Sequence, residues 1–122
     1  MKKSFLIIAI AFNLFACNKP AELKGFDMKR WQDDKNGCNN YRSTQVANVM
    51  SQKDKLVGLS QEEVKLTLGA FDRNELMERG QKQLVYFVSP GEQCDGDTTF
   101  KKGTALYLRF DALNNLYEIT MR

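Results

Sequence analysis

Histidine is absent from all 122 residues, and that gap removes more chemistry than any other feature of the composition. Without imidazole there is no Ser-His or Cys-His nucleophile pair, no usual general base near neutral pH and no commonest zinc ligand. Carboxylate chemistry would remain, but Asp33-Asp34, Glu62-Glu63 and Asp95/Asp97 all fall in stretches that read as exposed caps and turns. Glycine loops of the GxGxxG or GxxxxGK[ST] kind, which cradle phosphates, are missing, and so is any CxxC pair. No Gly/Ser-rich or Pro-rich spacer and no internal repeat divides the chain. The one apolar run, residues 5–14 interrupted by Asn13, is too short to cross a bilayer, for which a helix needs about 20 apolar residues. These gaps predict a protein that is not an enzyme and that carries no cofactor and no metal.

What is present begins with Lys2 and Lys3 ahead of that apolar run, the layout of a secretory signal peptide. Leu14-Phe15-Ala16-Cys17 follows it and resembles the lipobox of bacterial lipoproteins, with Phe15 bulkier than the usual small residue. The resemblance implies cleavage before Cys17, a diacylglyceryl group on its thiol and an acylated amine. The plainer alternative is an ordinary signal peptide with Cys17 at the junction. One acyl chain binds membranes only marginally, whereas two or more anchor firmly. The expected organisation is a signal peptide over residues 1–16, a lipidated tether over 17–25 and a single α+β domain over 26–122. The tether's eight residues after Cys17, 18–25, would reach at most roughly 28 Å at about 3.5 Å per residue. Asn18 does not resemble the aspartate that retains lipoproteins at the inner membrane of enteric bacteria. That points to the outer membrane, facing the periplasm.

Losing Lys2 and Lys3 with the signal leaves 16 basic against 15 acidic residues. A net charge near +1 offers no footprint for nucleic acid. Once Cys17 is assigned to lipid, Cys38 and Cys94 remain as a pair in an oxidising compartment, where disulfides persist. A bridge between them is expected, and without histidine or a CxxC a metal-binding role for the pair is weak.

The segment with Phe26, Met28 and Trp31 reads as a lead-in or brief helical turn against the core, with Asn39-Asn40 offering a turn and an N-cap. Tyr41, Gln45, Val46, Val49 and Met50 mark one helical face over residues 41–52, with Arg42 outside the stripe. Ser60-Gln61-Glu62-Glu63 is a capping box, Leu59 and Val64 stand at hydrophobic-staple positions, and Gly69 sits where a left-handed cap is wanted. Val64, Leu68 and Leu66 are candidates for the buried face. After Gly80 the period becomes two. Strands are predicted over 83–88, over 104–110 with Leu106, Leu108 and Phe110 on one side, and over 116–121 with Tyr117, Ile119 and Met121 inward. The expected fold is α+β, two N-terminal helices packed on a three-stranded antiparallel sheet.

"LVGLSQEEVKLTLGAFD" (56–72), a strand with Tyr86, and "LYLRFDALNNLYEI" (106–119) together resemble the SmpA/OmlA–BamE class of envelope lipoproteins. Gly58, Ser60, Glu63, Val64, Leu68, Gly69, Asp72, Phe110 and Asp111 fit its pattern, while Phe71 replaces the usual proline and a longer insertion carries Cys94. The resemblance implies a non-catalytic module; some members assist the machinery that inserts outer-membrane β-barrels. A related fold, that of the β-lactamase inhibitor protein, docks on enzymes. The expected function is an envelope interaction module binding another envelope protein, in outer-membrane assembly or maintenance. Candidate contacts are Trp31, Tyr107 and Arg109, since aromatics and Arg dominate hot spots. The bland alternative is that Trp31 anchors the lead-in and the other two merely cover the sheet. An inhibitor or immunity-type protein using its sheet face is the competing reading. A small-ligand-binding or hydrolytic lipoprotein is disfavoured.

Overall fold

Ser60 begins a helix for the reason its sequence gives. In the computed structural model, which describes residues 18–122, α3 spans Gln61–Leu68. The Ser60 hydroxyl accepts from the Glu63 N–H at 3.2 Å, and the Glu63 carboxylate accepts from the Ser60 N–H at 3.1 Å. Two N–H groups that a helix start leaves unpaired are thereby satisfied. Val64, Thr67 and Leu68 lie one turn apart and are buried. Leu66 falls off that stripe and is 49% exposed, so it does not join the buried face. Gly69 ends the helix at φ 81°, ψ −170°, a region that glycine alone enters freely, though it is not the left-handed helical cap expected. The predicted signal peptide and Cys17 lie outside the described residues.

Two further helices precede α3. α1, Met28–Asp33, starts on Asp27, whose carboxylate accepts from the Arg30 N–H. α2, Tyr41–Ser51, starts at Asn40, but Asn40 sits at φ 63° and its side chain caps nothing. Asp34 caps the helix from outside instead, accepting from the Asn39 and Arg42 N–H groups at 2.7 and 2.9 Å. Asp34, expected as an exposed cap, is only 2% exposed.

The sheet is an antiparallel meander of four strands in the order β1-β2-β3-β4: β1 Arg73–Leu76, β2 Lys82–Phe87, β3 Ala105–Phe110 and β4 Leu116–Met121. The α+β class holds, while the two-helix, three-strand count becomes three helices and four strands. The added strand β1 is at an edge, and its Arg-Asn-Glu-Leu side chains are nearly all exposed. A second difference lies in β4. The register shifts at Arg109/Phe110, so Phe110 pairs with Leu116 and Arg109 with Glu118. Such a bulge leaves one extra residue on the longer side. Tyr117 is that residue: it is 41% exposed, and Leu116 takes the inward place expected of it. Ile119 packs on the core, and Met121 is half exposed.

The helices cover one sheet face. Trp31, Val49, Leu56, Val64 and Leu68 meet Leu84, Tyr86, Val88, Leu106, Leu108, Phe110 and Leu116 in one apolar cluster. Each fully buried side chain of this kind contributes about 1.5–3 kcal/mol. The segment expected as a tether is also held: Ala21 and Leu23 pack against this cluster, and the Ala21 N–H donates to Thr67 Oγ1 at 2.8 Å. No helix among the described residues is long and apolar enough to cross a membrane.

Candidate interaction face of the sheet

Strands β2 and β3 are buried on both sides, so the face away from the helices carries its own apolar patch. Alternation puts Val85, Phe87, Ala105 and Tyr107 there, and they form a second cluster. Register pairs Val85 with Tyr107 and Phe87 with Ala105. Cations lie over the rings. Arg73 is 5.1 Å from the Phe87 centroid, Lys102 is 5.2 Å from that of Tyr107, and Arg122 is 4.2 Å from Tyr107. A cation over an aromatic face at such distances gains about 0.5–1 kcal/mol at an exposed site. Beside them Arg109 donates to Gln83 Oε1 at 3.2 Å and reaches Glu118 at 3.5 Å.

Tyr107 and Arg109 are thus brought onto one face, but in different ways. Tyr107 is 5% exposed, its ring under two cations, whereas Arg109 is partly open. Trp31 is elsewhere: wholly buried on the helical side, with its ring 5.5 Å from that of Phe26. That is the anchoring role, and it leaves Trp31 no surface to offer a partner. The residues that sequence reasoning missed are Arg73, Lys102 and Arg122. Arg122 had a usable signal, since it shares the parity of Glu118 and Thr120 along β4. Lys102 lies in the connection between β2 and β3, where no period marks it.

One end of this face is bounded by the connection between β2 and β3. Cys38 and Cys94 are joined by a disulfide with their Cα atoms 5.8 Å apart, as the pairing argument expects. Gln93 reinforces the bridge, its amide donating to the Asn36 and Ser89 carbonyls at 2.9 and 2.8 Å and accepting from the Gly103 N–H at 3.0 Å. Gly37 has φ +66°, and a Cβ there would meet the Phe87 carbonyl oxygen at 2.8 Å, so only glycine lets this turn press on β2. Farther out, Thr99 donates twice to Asp97 and holds its carboxyl below the usual range. Phe100 projects at 85% exposure.

The most concentrated polar chemistry is inside. Arg42, read as lying outside the apolar stripe of α2, is fully buried. Its Nε donates to the Trp31 carbonyl at 2.8 Å, and its Nη1 to Asp72 at 2.6 Å and to the Phe87 carbonyl at 3.0 Å. Asp72 also accepts from the Phe87 and Asn36 N–H groups at 2.8 and 3.0 Å. Every one of these bonds ties protein to protein, so the network fixes α1, α2 and β2 together rather than presenting a site. Nearby, the Tyr86 hydroxyl donates to the Gly69 carbonyl at 2.8 Å, and burial pushes its pKa well up, against a smaller opposing pull from Arg42. Among the described residues no group of three or more Cys, Asp or Glu side chains is placed to hold a metal ion.

Compared with family models, curated proteins and solved structures, the chain matches none of them.

Proposed function

We propose that this chain is a membrane-anchored bacterial envelope lipoprotein, held through Cys17 at the outer membrane and facing the periplasm, whose folded part is a non-catalytic protein–protein interaction module. The SmpA/OmlA–BamE resemblance supports a role in outer-membrane assembly or maintenance. The observation that carries the interaction reading is the cation-covered sheet face. Arg73, Lys102 and Arg122 stand over Phe87 and Tyr107 and make no ion pair among the described residues. Such a face is complementary to a partner that presents carboxylates, because the cations are already held in place by the rings and lose little freedom on binding.

The test is charge reversal at all three positions, R73E/K102E/R122E, in the full-length protein. Wild type and variant are compared by pull-down from detergent-solubilised envelope, and any captured protein is purified and its affinity measured at low and high salt. An envelope protein bound by wild type, weakened by salt and lost in the folded variant is the expected result. Equal binding by both chains sinks the sheet-face assignment, and no binding by wild type sinks the module reading.

The inhibitor reading has one observation in its favour, the exposed Phe100 on a disulfide-stapled connection. It would show in the same experiment as a single soluble enzyme, bound tightly and released by Phe100→Ala.

A further inference from the structure

The chain is gripped almost as soon as its described part begins. The Lys19 N–H donates to Glu63 Oε2 at 3.4 Å, and the Ala21 N–H to Thr67 Oγ1 at 2.8 Å. Next the Lys24 N–H donates to Gln52 Oε1 at 2.7 Å, while the Asn48 and Gln52 amides both donate to the Lys24 carbonyl at 2.9 Å. Residues 19–24 therefore lie along α3 and α2. Cys17 precedes Lys19 by two residues, a covalent reach of roughly 7 Å at about 3.5 Å per residue. A lipid on the Cys17 thiol would therefore be attached within that reach of Lys19, which sits against the first turn of α3.

That turn stands at a definite end of the sheet. Gln61, in the same turn, donates to Asn114 Oδ1 at 2.8 Å, which places the β3–β4 connection beside it. Lys82 pairs with Phe110, and Leu76 with Lys82, so the β1–β2 hairpin opens at this end too. The β3–β4 turn carries Leu113 at 83% exposure, and Leu76, the last residue of β1 beside the β1–β2 turn, is 77% exposed. Phe100 belongs to the opposite end, because Phe87 pairs with Ala105 where β2 leaves the sheet and β3 returns.

We propose that the end formed by the first turn of α3 and the two hairpin turns rests on the bilayer, with Leu113 and Leu76 in the headgroup region, and that the disulfide-stapled connection bearing Phe100 points away from it. This rests on the reading of Cys17 as the lipid anchor. The partner of this surface is a lipid interface, and the cation-covered sheet face stands clear of the membrane. Lys19, Lys65, Arg79 and Lys82 on this end are offset by Glu62, Glu63, Glu78 and Asp111. The contact is therefore apolar and tethered, and does not depend on anionic lipid.

Tryptophan placed at each end reads the orientation, with buried Trp31 as the common background. L113W and F100W variants of the full-length protein are extracted in detergent, checked for N-terminal acylation by mass spectrometry and reconstituted in phosphatidylcholine vesicles carrying brominated acyl chains. The emission added by L113W is expected to be quenched and blue-shifted, and that added by F100W to be unchanged, with or without anionic lipid. Quenching of F100W instead, equal quenching of both, or quenching of L113W only with anionic lipid overturns the orientation while leaving the anchor intact. An N-terminus without acyl chains overturns the lipoprotein reading, and this inference with it.

Discussion

The two faces of the sheet use neighbouring residues of the same strands for opposite ends. Towards the helices, Leu84, Tyr86, Leu106 and Leu108 meet other apolar groups, and the Tyr86 hydroxyl is tied to the Gly69 carbonyl. Away from the helices, Val85, Phe87, Ala105 and Tyr107 are roofed by Arg73, Lys102 and Arg122, whose charged heads stay in water. An interaction sealed from water costs its full desolvation when broken, while one at the water boundary is exchanged for hydration. The helical face is thus committed to stability, while the charged heads of the cationic face stay in contact with water.

The sharpest way to break that contrast is at the buried ion pair. Asp72→Ala leaves the Arg42 guanidinium enclosed without its carboxylate, at an expected cost of about 3–5 kcal/mol in urea unfolding. Replacing the pair by apolar residues, R42M/D72L, should recover much of that loss, since a well-packed substitute needs no counter-ion. If Asp72→Ala cost no more than a change on the cationic face, the two faces would not differ as described.

The disulfide comes next. It joins the Asn36-Gly37 turn of the helical layer to the connection between β2 and β3, and a bridge closing a loop of this size stabilises by about 2–4 kcal/mol. C38A/C94A should lower the free energy of unfolding by that amount and make the midpoint insensitive to reductant. An unchanged midpoint would mean the Gln93 hydrogen bonds hold the connection without the bridge.

Changes on the cationic face should be smaller and should behave differently. Arg122→Ala and Lys102→Ala are each expected to cost about 0.5–1 kcal/mol. The loss should shrink when Tyr107 is replaced by Leu in a double-mutant cycle, because a leucine has no ring face to attract a cation. A coupling of zero between Arg122 and Tyr107 would remove the ring contact from the account of this face.

Legibility followed the range of the interactions. The capping box at Ser60 and Glu63, the buried Val64 and Leu68, and the alternation along β3 are local, and they stood in the sequence as they stand in the fold. The disulfide was legible by elimination. β1 was not, because an edge strand of Arg-Asn-Glu-Leu has no buried side to alternate with. Arg42 was hidden because its partners lie 11, 30 and 45 residues away, and no helical period announces a buried guanidinium. The grip on residues 19–24 was hidden likewise, its acceptors Thr67 and Gln52 being identifiable only once α2 and α3 are packed. For the candidate face, Tyr107, Arg109 and Arg122 could be read from parity, but Arg73 comes from the strand without a buried side and Lys102 from a connection without a period.

The smallest effect concerns Glu63, which belongs to the helical layer yet faces water. The Ser60 and Lys19 N–H groups, in that order, hold its carboxyl below its ordinary value of 4.5. A carboxyl whose folded pKa is depressed adds stability above its unfolded pKa and loses it as pH falls through the folded one. The wild-type unfolding midpoint should therefore carry a contribution that is constant from neutral pH down to about 5 and fades below 4.5, while Glu63→Gln lacks that fading part. The same titration should loosen Lys19, so amide exchange at the Lys19 N–H should quicken relative to Ala21, whose acceptor Thr67 does not titrate. Parallel pH slopes for wild type and Glu63→Gln would show that the carboxylate, although it closes the capping box, adds nothing in its charged form. The water-facing side of the helical layer would then differ from the cationic face, where charge is what holds the rings covered.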